Sequence, residues 1–116
     1  MTVTIYHNPK CGTSRNVLAL LKEKGIELQI VEYLKTPLEK KELAALFEKM
    51  GVQVRDVLRQ KGTPYDELKL SDPKWSDDEL MDFIVAHPIL LNRPIVETAQ
   101  VAKLCRPSET VLEILD

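Results

Sequence analysis

Cys11 stands where a sequence can make a reactive thiol. It lies in the run His7-Asn8-Pro9-Lys10-Cys11-Gly12-Thr13-Ser14-Arg15-Asn16, between a β-branched, aromatic stretch and an amphipathic one. A thiol at a helix start faces unpaired backbone N–H groups and the positive end of the helix dipole. Both favour the thiolate, which is the nucleophilic form. The same N–H groups, from Gly12 onward, can hold an oxyanion. Lys10 and Arg15 add positive charge close by. Thiolate and oxyanion draw on one positive field, so holding both requires further cations. A buried structural cysteine is the competing reading, but Gly12 and the polar run after it suit an apolar core poorly.

Counting excludes two thiol motifs. A dithiol pair needs a second cysteine three residues on, where this chain has Ser14, and a phosphatase-type loop needs an arginine six residues on, where it has Val17. Cys11 therefore reads as a single working thiol whose intermediates are resolved by an external thiol. Ser14 either hydrogen-bonds the thiolate or caps the backbone. His7 either supplies a cation to the thiolate or shapes the loop before Pro9. The two cysteines and two histidines lack metal-ligand spacing, so no metal is expected.

The elements that hold this loop follow from pattern. Val3 to Tyr6 reads as a strand that breaks at His7-Asn8-Pro9. Val17, Leu18, Leu20 and Leu21 form a helical stripe from Ser14 to Lys24, with Gly25 as the stop. Leu28 to Tyr33 completes a βαβ unit with parallel strands. Thr36 as N-cap and Pro37 at the first position predict a second helix that buries Leu43, Leu46 and Phe47 up to Gly51. Val54 to Leu58 and Tyr65 to Leu68 read as short helical turns, and the Ser76-to-Glu79 capping box opens a helix carrying Leu80, Phe83 and Ile84. Strands are predicted over Ile95 to Glu97 and Val101 to Cys105, tightly joined through Thr98 to Gln100, before a last helix that starts at Pro107-Ser108. The reading is a single α/β domain over residues 1–116, a mixed four-stranded sheet flanked by helices with a helical insertion at about residues 36–86. In that sheet Cys105 lies two strands from the first, about 10 Å away at ordinary strand spacing. That is beyond disulfide reach, so Cys105 reads as a strand-end packing residue.

Composition narrows the partners. With 16 basic and 18 acidic residues the net charge is -2, which gives no bulk attraction to nucleic acid or an anionic membrane. The N-terminal stretch lacks the basic start and apolar run of a secretory signal, so a cytoplasmic location with reduced thiols is expected.

At these residues the sequence resembles the glutaredoxin-coupled arsenate reductases, a branch of the thioredoxin-like proteins. The segments that carry the resemblance are Tyr6 to Pro9 with Cys11 to Asn16, Val54 to Arg59, His87 to Val96, and Leu104 to Glu109. Four segments in order and at family spacing are more specific than any one. The resemblance implies a thioredoxin-like fold, Cys11 as nucleophile, Arg59, Arg93 and Arg106 as active-site arginines, and a cis peptide between Arg93 and Pro94. It implies arsenate as substrate, glutathione as co-substrate and glutaredoxin as protein partner. Forked guanidinium donors suit a phosphate-like dianion better than lysine does. A related thiol reductase with another substrate keeps Cys11 without needing every arginine. A regulator of this fold that binds RNA polymerase would carry a paired-cysteine switch, which Ser14 removes.

Overall fold

A computed structural model of the chain describes residues 2–115. The chain divides into two compact units, one made of Met1–Thr36 with Arg93–Asp116 and the other of Pro37–Asn92.

The first unit holds β1 (Thr2–Tyr6), α1 (Gly12–Glu23), β2 (Glu27–Val31), β3 (Ile95–Glu97), β4 (Ala102–Leu104) and a 3-10 helix over Ser108–Ile114. The strand order is β2-β1-β3-β4. β1 runs parallel to β2, and the β1/β3 and β3/β4 pairs are antiparallel, so the mixed four-stranded sheet is as expected. Alternation along β1 sends Val3 and Ile5 inward, where they meet Val17 and Leu21 of α1, Val96 of β3, Cys105 and Val111. On the opposite face Tyr6 donates its hydroxyl to Glu97 at 2.8 Å. Gly25, at φ +69°, takes the left-handed turn that follows α1.

Leu21 is fully buried in this core, whereas Leu112 is 42% exposed. Leu21→Ala should cost about 2–5 kcal/mol through lost transfer energy plus a cavity, and Leu112→Ala no more than about 0.5 kcal/mol. Urea unfolding of both variants checks the contrast, and equal losses would misplace the core.

The second unit contains α2 (Lys40–Met50), a 3-10 turn over Val54–Val57, α3 (Asp77–Ala86) and a 3-10 turn over Pro88–Leu90. α2 starts later than Thr36-Pro37 predicted. The backbone N–H groups of Lys35 and Thr36 both turn back to the Glu32 carbonyl at 2.9 Å, so Thr36 finishes a turn instead of capping a helix. Glu39 is the N-cap, its amide bonded to Glu42 at 2.9 Å. The Ser76–Glu79 capping box forms as read. Tyr65 to Leu68 forms turns, not a helix, and the last helix is 3-10.

Arg55, within the Val54-to-Arg59 segment, is a structural clasp. Its guanidinium donates to the carbonyls of Leu70, Asp72 and Trp75 at 2.6, 3.2 and 3.5 Å, gathering a loop that is otherwise held by single turns. Among the described residues no helix is long and apolar enough to cross a membrane.

Candidate active site

The loop between β1 and α1 is built by its polar side chains. The His7 amide donates to the Val31 carbonyl at 2.8 Å, and the Cys11 amide closes a turn onto the Asn8 carbonyl at 3.0 Å. Pro9 occupies the second position of that turn, where its fixed φ is favourable. Asn8 Oδ1 accepts from the Lys10 amide at 3.0 Å, an Asx turn inside the same loop. Arg15 reaches back from the helix and donates to the Pro9 carbonyl at 2.8 Å. Arg15 is therefore a loop clasp. Asn8 is buried and central to the turn; the sequence reads it as part of the break after β1 but does not single out its side chain.

Cys11 is the N-cap of α1, which starts at Gly12, two residues before the Ser14 start read from the apolar stripe. Ser14 lies on the same stripe as Val17 and Leu21 and is buried with them, so its hydroxyl must find partners inside. It shares a 2.6 Å hydrogen bond with His7 Nδ1 and accepts from the Asn8 amide at 3.1 Å. The hydroxyl thus fastens the loop to the helix. The part of Ser14 that serves the sulfur is its backbone N–H, which favours the thiolate without closing a cap hydrogen bond.

His7 is 5% exposed. Burial pulls its pKa below the usual 6.5; Glu32 opposes this, while Arg15 and Lys22 reinforce it. His7 is accordingly neutral near pH 7, so the cationic role considered for it gives way to a positioning one through Ser14. Gly12 opens the helix; a Cβ there would meet only Arg15 Nη2, at 3.7 Å. Its contribution is the first-turn amide.

Two arginines from the far end of the chain complete the surroundings of the sulfur. Arg106 Nη1 lies 3.5 Å from Cys11 Sγ and donates to the Arg93 carbonyl at 2.9 Å. The Arg93–Pro94 peptide is cis, as the resemblance implies; Arg106–Pro107 is also cis, which the sequence did not suggest. Burial raises the Cys11 pKa, but the Ser14 N–H and the Arg106 and Arg93 guanidinium groups outweigh it, bringing the thiol from 9.0 to about 7. Alkylation of Cys11 should therefore show an inflection near pH 7. Iodoacetamide rates against pH on a Cys105→Ser background test this, and an inflection at 9 would mean that the sulfur is not activated.

Cys105 has the opposite environment. It is fully buried in the core, and burial pushes its thiol up to about 12. It packs at the end of β4 as a neutral side chain. Arg59 belongs to the second unit, where its amide donates to the Leu90 carbonyl at 2.7 Å and its own carbonyl accepts from Thr63 Oγ1 at 2.7 Å. Among the described residues no group of three or more His, Cys, Asp or Glu side chains is placed to hold a metal. The arrangement can keep a sulfur ionised at neutral pH and set guanidinium donors beside it, which is the equipment for attack on an oxyanion.

Known proteins share this arrangement of sequence and fold. Residues 6–114 match the model of the ArsC family. The chain is 56% identical over 115 residues to the arsenate reductase of Rhizobium meliloti (strain 1021), covering 99% of this chain and 82% of that one. It is 54% identical over 113 residues to an arsenate reductase of Escherichia coli, covering 97% and 80%. The solved arsenate reductase from Vibrio cholerae superposes with a TM-score of 0.95 at 46% identity, over 99% of this chain and 98% of that one.

Proposed function

The chain belongs to the ArsC family, whose thioredoxin-like fold it shares, and on that premise we propose that it reduces arsenate to arsenite at Cys11 with electrons from glutathione and glutaredoxin. The observation that carries this reading is the Arg106 guanidinium 3.5 Å from a cysteine sulfur whose pKa is about 7. A nucleophile and an anion-binding fork then occupy one place.

The cycle begins when the Cys11 thiolate attacks arsenic; an As–O bond breaks, hydroxide departs as water, and an enzyme thioester of arsenate remains. Glutathione adds to arsenic with loss of a second water. The glutaredoxin thiolate attacks the glutathione sulfur and carries it off as a mixed disulfide. The electron pair of the broken S–As bond stays on arsenic, which becomes As(III), and hydrolysis releases arsenite and the Cys11 thiol. Arg93 and Arg106 stabilise the charge that develops on the arsenate oxygens, and family likeness gives Arg59 the same role. No bound cofactor enters the cycle. The supply of reduced glutathione it requires places it in the cytoplasm.

The test is arsenate reduction by purified protein with glutathione and glutaredoxin, each omitted in turn, with Cys11→Ser as the blank. Loss of turnover when glutaredoxin is left out supports the scheme. A protein that alkylates at Cys11 yet leaves arsenate unreduced under complete conditions would instead be a thiol reductase for another substrate.

A further inference from the structure

We propose that the Cys11 site also reduces small hydroperoxides, with glutathione as the reductant. The inference rests on the geometry of the sulfur and its arginines and does not depend on arsenate being a substrate. Arg106 Nη1 contacts both the Cys11 sulfur, at 3.5 Å, and the Arg93 carbonyl, at 2.9 Å. One nitrogen of a five-donor fork is thus tied to the backbone, which fixes the guanidinium beside the sulfur before any ligand arrives. Cys11 is 8% exposed, so the sulfur keeps a little contact with solvent, unlike the fully buried Cys105. The sulfur is held ionised near neutral pH, and the thiolate is the form that peroxides oxidise.

The chemistry balances with the groups named. The thiolate attacks one peroxide oxygen, forming an S–O bond as the O–O bond breaks. The second oxygen departs as hydroxide and takes a proton from solvent to become water; the sulfur loses two electrons and becomes a sulfenic acid. Negative charge develops on the departing oxygen, where the Arg106 fork can stabilise it. Cys105 is fully buried in the core, with a relative exposure of 0%, so no internal thiol resolves the product. Glutathione attacks the sulfenic sulfur, releasing water and leaving a mixed disulfide. A second glutathione breaks that disulfide, giving glutathione disulfide and the Cys11 thiol. For hydrogen peroxide the sum is one peroxide and two glutathiones to two waters and one glutathione disulfide.

Alkylation by iodoacetamide needs the thiolate but develops no charge on an oxygen, so it separates ionisation from oxyanion stabilisation. Reduced protein is mixed with hydrogen peroxide near pH 7 without arsenate, and sulfenic acid is trapped with dimedone and counted by intact mass. Arg106→Lys should slow peroxide oxidation about 10-fold more than it slows alkylation, the effect of one charge-assisted hydrogen bond. With glutathione present, glutathione disulfide should accumulate in proportion to peroxide consumed. Equal slowing of both reactions overturns the proposal. Should Arg106→Lys lose its cooperative thermal transition, the unsubstituted protein decides: oxidation no faster than that of free cysteine at equal thiolate fraction also overturns it. Arsenate turnover without peroxide oxidation would defeat this inference alone, and peroxide oxidation without arsenate turnover would defeat the arsenate reading alone.

Discussion

Cys11→Ser is expected to abolish arsenate reduction, while Cys105→Ser keeps most of it. The two thiols sit in opposite electrostatic settings. Cys11 has the Ser14 N–H and Arg106 and Arg93 acting on its sulfur, which bring it to about 7, whereas burial drives Cys105 to about 12. At neutral pH the second thiol has almost no nucleophilic form and, at 0% exposure, no access to an arsenic-bound intermediate. A hydroxyl in place of the Cys11 sulfur preserves shape but cannot ionise at this pH, so the first step is lost. The measurement is arsenite release under saturating glutathione and glutaredoxin. Equal loss in both variants would mean that an internal disulfide takes part and would sink the single-thiol scheme.

Arg106→Lys is expected to lower kcat/KM for arsenate by roughly 10- to 150-fold, the equivalent of about 1.5–3 kcal/mol for a hydrogen bond to a charged group. Lysine keeps the charge but not the planar fork. The fork's Nη1 touches the Cys11 sulfur and the Arg93 carbonyl together, and one rotatable ammonium serves those directions less well. The Cys11 pKa should move up from about 7 towards its ordinary 9.0. The sign follows directly: weakening a donor to the thiolate favours the protonated form, so activity near pH 7 falls and part of it returns as pH rises. A pH profile of kcat/KM alongside the alkylation curve reads both effects. An unchanged profile would show that Arg106 neither ionises the sulfur nor holds the substrate.

What the sequence disclosed of this fold depended on the range of the interaction. β1 and α1 follow from alternation at Val3 and Ile5 and a helical stripe at Val17 and Leu21, and the Ser76–Glu79 box follows from residues three apart. Such patterns are local, and they hold. Thr36-Pro37 is also a local signal, yet competition from the Glu32 carbonyl and the Glu39–Glu42 pair moved the helix start to Lys40. Arg15 reads from sequence only as positive charge near the thiol, and both it and Arg55 hold backbone carbonyls; which carbonyl a long side chain reaches leaves no trace in composition. His7 was legible as a loop residue, but its neutral state depends on burial, which pattern does not reveal. The meeting of Cys11 with Arg93 and Arg106 was out of reach of spacing altogether, and only the resemblance to a family supplied it.

The contact between Arg106 and Cys11 spans 95 residues, and this sets the order of events during synthesis. Cys11 is made first, while the arginine that ionises it follows roughly 5–20 s later at ordinary elongation rates of about 5–20 residues per second. Over that interval the nascent thiol is an ordinary one, only a few per cent ionised at neutral pH, and correspondingly slow to react with electrophiles or oxidants. The enhanced reactivity is conferred when the last strands pair, so a ribosome stalled before Arg106 carries a cysteine of ordinary reactivity.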